Sequence, residues 1–97
     1  MWDVVFSEEA LRQFSRLGKA DRAFLKEGIR KHLALADPAQ RSRNKFRLRR
    51  ASPFAEFELR LDPWRVFYGL AEDRVKVTLV GEKRGNLLLI GGGEFIL

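Results

Sequence analysis

A regular alternation of apolar and polar residues runs through residues 57–68. In the first half, the apolar positions are Phe57, Leu59 and Leu61, and in the second half they are Trp64, Val66 and Tyr68. A period of two is typical of a strand with one buried face. Asp62-Pro63 favours a tight turn between the halves, since proline fixes φ and has no N–H group to donate. The segment predicts a β-hairpin whose polar positions, Arg60 and Arg65, can project from the same solvated face.

Two helices are predicted upstream of this hairpin. Ser7 is a good N-cap for the first, and acidic residues follow it where the helix dipole favours them. Gly18 is a natural stop. The apolar face of this helix is predicted to consist of Ala10, Leu11, Phe14 and Leu17. The second helix is predicted over residues 20–36, ending at Asp37-Pro38 because the residue before proline avoids the helical region. Its apolar stripe is predicted to consist of Phe24, Leu25, Ile29, Leu33 and Leu35.

The remaining strands are shorter. A first strand carries Trp2, Val4 and Phe6, and a third strand of the meander carries Val75, Val77 and Leu79. Gly81 is expected to bend the chain, and residues 82–86 are expected to form a charged turn. Residues 87–90 are predicted to form a short strand. Residues 91–93 are predicted to form a flexible break before an apolar end. The predicted fold is α+β: an N-terminal strand, a two-helix hairpin on one face of the sheet, then an antiparallel meander of three to four strands, in one domain over residues 1–97.

Composition narrows the class of protein. The 97 residues are 45% hydrophobic and 33% charged, which fits one folded globular domain. No apolar run approaches the roughly 18–20 residues that a membrane span needs. The chain has no cysteine, which excludes disulfides and thiolate zinc sites. We expect a cytoplasmic protein without a metal or other cofactor.

The net charge of +6 favours an acidic partner, with nucleic acid foremost. The most basic stretch comprises Arg41, Arg43, Lys45, Arg47, Arg49 and Arg50. If residues 45–50 are extended, Lys45, Arg47 and Arg49 line one face while Phe46 and Leu48 anchor the other. Such a strip can track a phosphate backbone, but it equally fits an acidic protein surface or a solvated loop. His32, the only histidine, is interpreted as a surface or packing residue.

In this order, the elements resemble the RelE/ParE superfamily of bacterial and archaeal toxins. The resemblance is carried by VVFSEEA at residues 4–10, by Asp37-Pro38 after the second helix, by ELRLDPWRVFY at residues 58–68 and by VKVTLVG at residues 75–81. The ending KRGNLLLIGGGE at residues 83–94 is similar to one branch of the superfamily. The resemblance spans nearly the whole chain.

The resemblance implies a function and a partner. Members are held by an antitoxin that wraps the toxin. RelE-like members bind in the ribosomal A site and cut mRNA, whereas ParE-like members inhibit DNA gyrase and cut no RNA. We therefore expect a ribosome-dependent mRNA endoribonuclease that inhibits translation and binds a cognate antitoxin. The alternatives are a non-catalytic inhibitor of DNA gyrase and a toxin-like protein that has lost its activity.

The resemblance also implies site residues. Arg65 matches the arginine of the second hairpin strand and is the best phosphate-binding candidate, Arg60 matches a basic position in the preceding strand, and Lys83 or Arg84 matches the basic position after the third strand. The chain departs from RelE-like enzymes in two ways: Glu56 and Glu58 stand where those enzymes carry lysines, and their C-terminal tyrosine has no counterpart. Glu58 is therefore a candidate general base. In a purely structural interpretation, the two arginines form ion pairs across the sheet.

Overall fold

The predicted hairpin lies in the middle of a single mixed sheet. The computed structural model describes residues 1–49, 55–90 and 93–96. Its strands are β1 Asp3–Phe6, β2 Lys45–Arg47, β3 Phe57–Leu61, β4 Trp64–Ala71, β5 Arg74–Arg84, β6 Leu87–Ile90 and β7 Gly93–Ile96. The helices are α1 Glu8–Ser15 and α2 Lys19–Ile29, and α2 continues as a π-helical turn over Arg30–Ala34. The α+β class, the initial strand–helix–helix order and the hairpin are thus confirmed.

The sheet is larger than predicted. Within the described ranges it has seven strands, six of them antiparallel in the order β2-β3-β4-β5-β6-β7, with β1 parallel to β5. The predicted meander of three to four strands is too small, because β2 and β7 extend it by one strand at each edge. The predicted bend at Gly81 is absent, since β5 continues through this position for 11 residues in all. The predicted charged turn is reduced to Gly85-Asn86, where Gly85 adopts a φ of 59° that suits glycine.

One edge of β5 is shared between two strands. β1 pairs with its first part, Asp3 opposite Arg74 through Phe6 opposite Val77, and β6 pairs with its last part. Between them, α1 supplies the hydrogen bonds. The Ser7 hydroxyl donates to the Thr78 carbonyl at 3.0 Å, and the Gln13 side-chain oxygen accepts from the Val80 N–H at 2.6 Å. Side chains of one helix thus complete the backbone hydrogen bonding of the central strand.

The main core lies between the helices and one face of the sheet, which we call the helix face. Its members with no exposed surface include Leu25, Leu33, Leu59, Val66, Tyr68, Val75 and Val77. Ser7 caps α1 as predicted, accepting a hydrogen bond from the Ala10 N–H at 3.1 Å. The strand residues Trp2, Val4 and Phe6 pack against this core, so the predicted apolar phase of β1 is confirmed.

Three apolar residues predicted for the helix stripes lie outside the core instead. Leu11, Phe24 and Leu35 are 53%, 51% and 53% exposed. In α1, the buried side carries Ala10 and Gln13, because the gap in β5 requires a hydrogen-bond acceptor there. In α2, only the row Leu25, Ile29 and Leu33 reaches the core. The wider π-helical turn then changes the helical phase ahead of Leu35.

Gly18 does not end α1 as predicted. Its φ of −64° and ψ of 161° are extended, and it occupies the N-cap position of α2. The α1 helix ends three residues earlier, at Ser15. Gly18 therefore begins the second helix and does not terminate the first.

The opposite side of the sheet, which we call the open face, carries a second apolar cluster. Its buried members are Ala55, Phe67 and Leu88, with Leu48, Leu79 and Ile90 packed around them. Phe67 lies between helix-face residues of β4 and therefore points to the open face. If only one face of β4 were buried, Phe67 would be exposed, but it is buried. Both faces of the sheet are therefore apolar over part of their area. None of the described helices is both long and apolar enough to cross a membrane.

Replacing Gln13 tests the role of α1 in completing β5. Gln13→Met retains the length of the side chain but removes the acceptor for the Val80 N–H. Leaving that buried donor unpaired should lower the free energy of unfolding by about 2 kcal/mol in urea titrations. The control, Leu11→Gln, changes an exposed position of the same helix and should alter stability by less than about 0.5 kcal/mol. Equal midpoints for Gln13→Met and the parent protein would contradict this role.

Candidate functional site

A cavity of about 250 Å³ opens on the open face where β3, β4 and β5 lie side by side. Its lining consists of Glu58, Arg60, Arg65, Lys83, Gly85 and Asn86. We call it the cationic cavity. Four of the five candidate catalytic residues from the sequence thus line one cavity.

The strand register places these side chains together. Arg60 on β3 lies opposite Arg65 on β4, which in turn lies opposite Gly81 on β5. Lys83 follows two residues later, and its strand partner Leu88 belongs to the open-face cluster. Residues two apart on a strand share a face. Lys83 therefore projects beside Arg65, and the Lys83 N–H also donates to the Pro63 carbonyl at 2.7 Å.

Arg65 is the most enclosed cation of the cavity, with a side chain only 7% exposed. Its Nη1 donates to the Asp62 carboxylate at 2.8 Å and to the Trp64 carbonyl at 2.9 Å. A guanidinium has five N–H donors, and no side-chain nitrogen in the described part of the chain is buried without a partner. Arg65 thus has more donors than these two bonds use, and it lines the cavity. Arg65 was predicted to project from a solvated face, whereas the structure encloses it and holds it through two hydrogen bonds.

Arg60 and Glu58 form a second fixed pair. Arg60 Nε donates to Glu58 Oε1 at 2.5 Å, and the guanidinium carbon lies 4.0 Å from the centre of the Phe46 ring. Arg60 and Arg65 are directly opposite, an arrangement that repels. Each guanidinium turns towards its own carboxylate, which reduces this repulsion. Arg60 and Arg65 each form an ion pair, but neither pair crosses the sheet as the structural interpretation predicted. Glu58 lies on the same strand as Arg60, and the partner of Arg65 is Asp62 in the hairpin turn.

The charge of the site is positive overall. Three cations, Arg60, Arg65 and Lys83, lie with two carboxylates, Glu58 and Asp62. Lys83 makes no ion pair with any residue that the structure describes. A negatively charged group such as a phosphate is therefore the ligand that this cavity suits.

Arg84 lies outside the cationic cavity. Adjacent residues of a strand point to opposite faces, and Arg84 pairs with Glu82 at 3.2 Å. Of the two alternatives for the third cation, the structure brings only Lys83 into the cavity. Sequence analysis could not separate them because it placed both in a turn.

The basic segment 41–50 does not form the predicted strip. Lys45 is 5% exposed, and its Nζ donates to the His32 carbonyl at 3.1 Å and the Asp37 carbonyl at 2.8 Å. Burial lowers the pKa of this lysine, against an opposing effect of the Asp37 carboxylate. Lys45 therefore joins the end of the second helix to β2 and is not available to a ligand. Phe46 and Leu48 lie on the face opposite Lys45, as expected, and Leu48 packs against the open-face cluster, but the expected place of Lys45 on a solvated strip is wrong.

The other basic residues of the segment are exposed. They are Arg41, Arg43, Arg47 and Arg49, and Arg50 lies outside the described residues. Arg47 stacks over Phe57, 5.5 Å from the ring centre, on the helix face. These arginines remain candidates for contact with nucleic acid or antitoxin, although they do not share a surface with Lys45.

Tyr68 and His32 lie on the helix side of the sheet, away from the cationic cavity. The Tyr68 hydroxyl is buried and donates to the Pro38 carbonyl at 2.7 Å, and burial raises its pKa. Burial, with the charges of Lys31 and Lys45, lowers the pKa of His32. Over the described ranges, no cluster of acidic residues and histidine is suited to hold a metal ion.

Three contributors to the site were not predicted from the sequence. Asp62 was assigned only to the turn, yet a two-residue turn brings it back to Arg65, three positions along the chain. Asn86 is at the β5–β6 turn, and Phe46 supports Arg60 from the edge strand β2. Asp62 could have been identified from the sequence, because it carries the opposite charge to Arg65 three positions away. Asn86 and Phe46 could be placed at the site only once the strand register was known.

Comparison of the sequence with protein-family models gave no match, and comparison with curated protein sequences gave none either. The assignment of function therefore depends on the residues and geometry of the site.

Exchanging Lys45 for methionine tests its structural role. Lys45→Met retains the aliphatic stem but leaves the His32 and Asp37 carbonyls without their donor. Urea unfolding should show a loss of stability of about 2 kcal/mol. Arg47→Met removes the same charge from the same strand at an exposed position and should change stability by less than about 0.5 kcal/mol. If both variants unfolded at the parent midpoint, Lys45 would have no structural role.

Proposed function

We propose that this chain is a toxin of the RelE/ParE superfamily that binds in the ribosomal A site, cuts mRNA and thereby inhibits translation. We also propose that it acts in the cytoplasm and is held by a cognate antitoxin. One observation carries the proposal: residues selected by the resemblance from three separate strands converge on one positively charged cavity. The strand–helix–helix–sheet order is consistent with it.

In the proposed reaction, residues of the cavity supply the proton transfers and the charge stabilisation that cleavage of RNA requires. A ribose 2′-oxygen attacks the adjacent phosphorus, and the bond from phosphorus to the 5′-oxygen of the next nucleotide breaks. Glu58 accepts the proton of the 2′-hydroxyl, and Lys83 donates a proton to the leaving 5′-oxygen. The products are a 2′,3′-cyclic phosphate and a free 5′-hydroxyl.

Arg65 has the role of stabilising negative charge on the phosphorane-like transition state. Donors held in position before the reaction stabilise such charge best, because they need not reorganise as it develops. The hydrogen bonds to Asp62 and to the Trp64 carbonyl hold Arg65 in this way. Arg60 positions Glu58 through their ion pair.

A second candidate function is inhibition of DNA gyrase without RNA cleavage. It is favoured by the composition of the cavity, whose lining residues include neither histidine nor tyrosine. The resemblance implies a lysine pair and a C-terminal tyrosine for RelE-like catalysis. Here Tyr68 donates its hydroxyl to the Pro38 carbonyl on the other side of the sheet. The same observation favours a toxin-like protein that has lost its activity.

Neighbouring cations on β5 provide a matched test. Lys83→Met removes a cavity residue, and Arg84→Met removes the same charge from the opposite face. Purified protein should be incubated with programmed ribosomes and the mRNA ends mapped by primer extension. We expect cuts at A-site codons from the parent and from Arg84→Met. Lys83→Met should be slower by at least about tenfold, as expected for loss of a general acid.

Arg65→Met should reduce cleavage by about 10²-fold, comparable to the loss of one transition-state donor. Because Arg65 is buried, circular dichroism and urea unfolding should first establish that the variant is folded. Full cleavage by folded Arg65→Met would overturn its role. No cuts by the parent protein, together with blocked supercoiling by gyrase, would favour the second candidate function.

A further inference from the structure

We propose that the Arg60 guanidinium, supported by Phe46, is a stacking platform for a nucleobase of single-stranded RNA whose phosphate occupies the cationic cavity. This inference rests on the proposed function and adds to it the part of the RNA that the site contacts beyond the phosphate. It assigns to Arg60 a binding role in addition to its pairing with Glu58.

The orientation of Arg60 is fixed from two sides. Its guanidinium carbon lies 4.0 Å from the centre of the Phe46 ring, which is a stacking distance. Its Nε donates a hydrogen bond to the carboxylate of Glu58, a residue that is itself almost fully buried. The strand on which it lies is held to β2, because the Arg60 N–H donates to the Asn44 carbonyl at 2.7 Å and the Asn44 amide donates to the Arg60 carbonyl at 2.9 Å. The planar group is therefore immobilised before any ligand binds.

One face of this planar group is available. Phe46 covers one side of the guanidinium, and the Arg60 side chain is nevertheless 48% exposed. Nucleobases stack on arginine planes as they do on aromatic rings, and the stacking tolerates any base sequence. An aromatic ring beneath the arginine adds a cation–π contact that keeps the plane flat against it.

The platform adjoins the phosphate site. Arg60 and Arg65 are directly opposite on paired strands, and both line the cationic cavity. A nucleotide whose phosphate contacts Arg65 and Lys83 therefore has its base within reach of Arg60. Double-stranded nucleic acid cannot use this platform, since its bases are already stacked on one another. The partner of this surface is single-stranded.

A comparison of two oligonucleotides tests the platform. One is a labelled 2′-O-methyl RNA hexamer, which cannot be cut because its attacking hydroxyl is blocked. The other has the same sugar–phosphate chain with every base removed. Fluorescence anisotropy at several low salt concentrations should show that the parent protein binds the hexamer with bases on the order of tenfold more tightly, as expected for one stacked base.

The variants separate stacking from charge. Arg60→Lys retains the charge but removes the planar group, so the two oligonucleotides should bind equally. Phe46→Leu removes the support and should give most of the same loss. Arg30→Lys is the matched control, since Arg30 also donates from Nε to a glutamate, Glu27, but lies in the helical turn after α2. It should leave the tenfold difference intact.

Arg65→Met distinguishes failure of the platform from failure of the proposed function. It should weaken both oligonucleotides alike and reduce the dependence of log K on log salt by roughly 1. If Arg65→Met has this effect but the parent protein binds both oligonucleotides equally, the platform is overturned and the phosphate site stands. If the parent binds neither oligonucleotide, or Arg65→Met binds both as the parent does, both proposals are overturned.

Discussion

The structure depends on how the backbone of β5 is hydrogen-bonded along an edge that no single strand covers. β1 and β6 occupy its two ends, and Ser7 and Gln13 supply partners between them. Without these side chains, buried donors and acceptors in the middle of the sheet would be left unpaired. With them, β5 remains one strand over 11 residues, so the segment that pairs with β1 and the segment that carries Lys83 belong to a single element. The cationic cavity exists because that element is continuous.

The two faces of the sheet have different roles, one in the core and the other at the candidate site. The helix face holds the main core, and Lys45 and Tyr68 are used there to bond backbone carbonyls at the end of the second helix. The open face holds a smaller apolar cluster around Phe67 and, beside it, the charged residues of the cavity. On the helix face, the buried Lys45 is therefore used for an internal contact, whereas the charged residues of the open face surround a cavity.

Local patterns predicted the hairpin well. Alternation on both sides of Asp62-Pro63 fixed which residues share a face, so the juxtaposition of Arg60 and Arg65 followed from the sequence. What failed depended on contacts between distant segments. Lys45 was expected on a solvated strip with Arg47 and Arg49, and the two carbonyls that accept from it are brought together only when the helix and the following loop are folded. Gln13 was not part of the predicted apolar face of α1, and its contact with Val80 exists only because α1 lies beside β5.

The position of Lys83 shows the limit of a local interpretation most clearly. Glycine followed by a run of charged residues is typical of a turn, and only the pairing of β5 with β4 and β6 shows that the strand passes through Gly81. Alternation along that strand then separates Lys83 from Arg84. The resemblance offered both residues for one role, and the sheet register distinguishes them.

The pairing of Arg65 with Asp62 has a consequence for any anion that enters the cavity. Asp62 is 87% exposed, whereas Arg65 is almost fully enclosed. The carboxylate prevents the enclosed guanidinium from being an uncompensated charge. An anion that meets the remaining donors of Arg65 therefore meets a guanidinium whose charge Asp62 already offsets in part. The hairpin turn thus limits how strongly the cavity attracts negative charge.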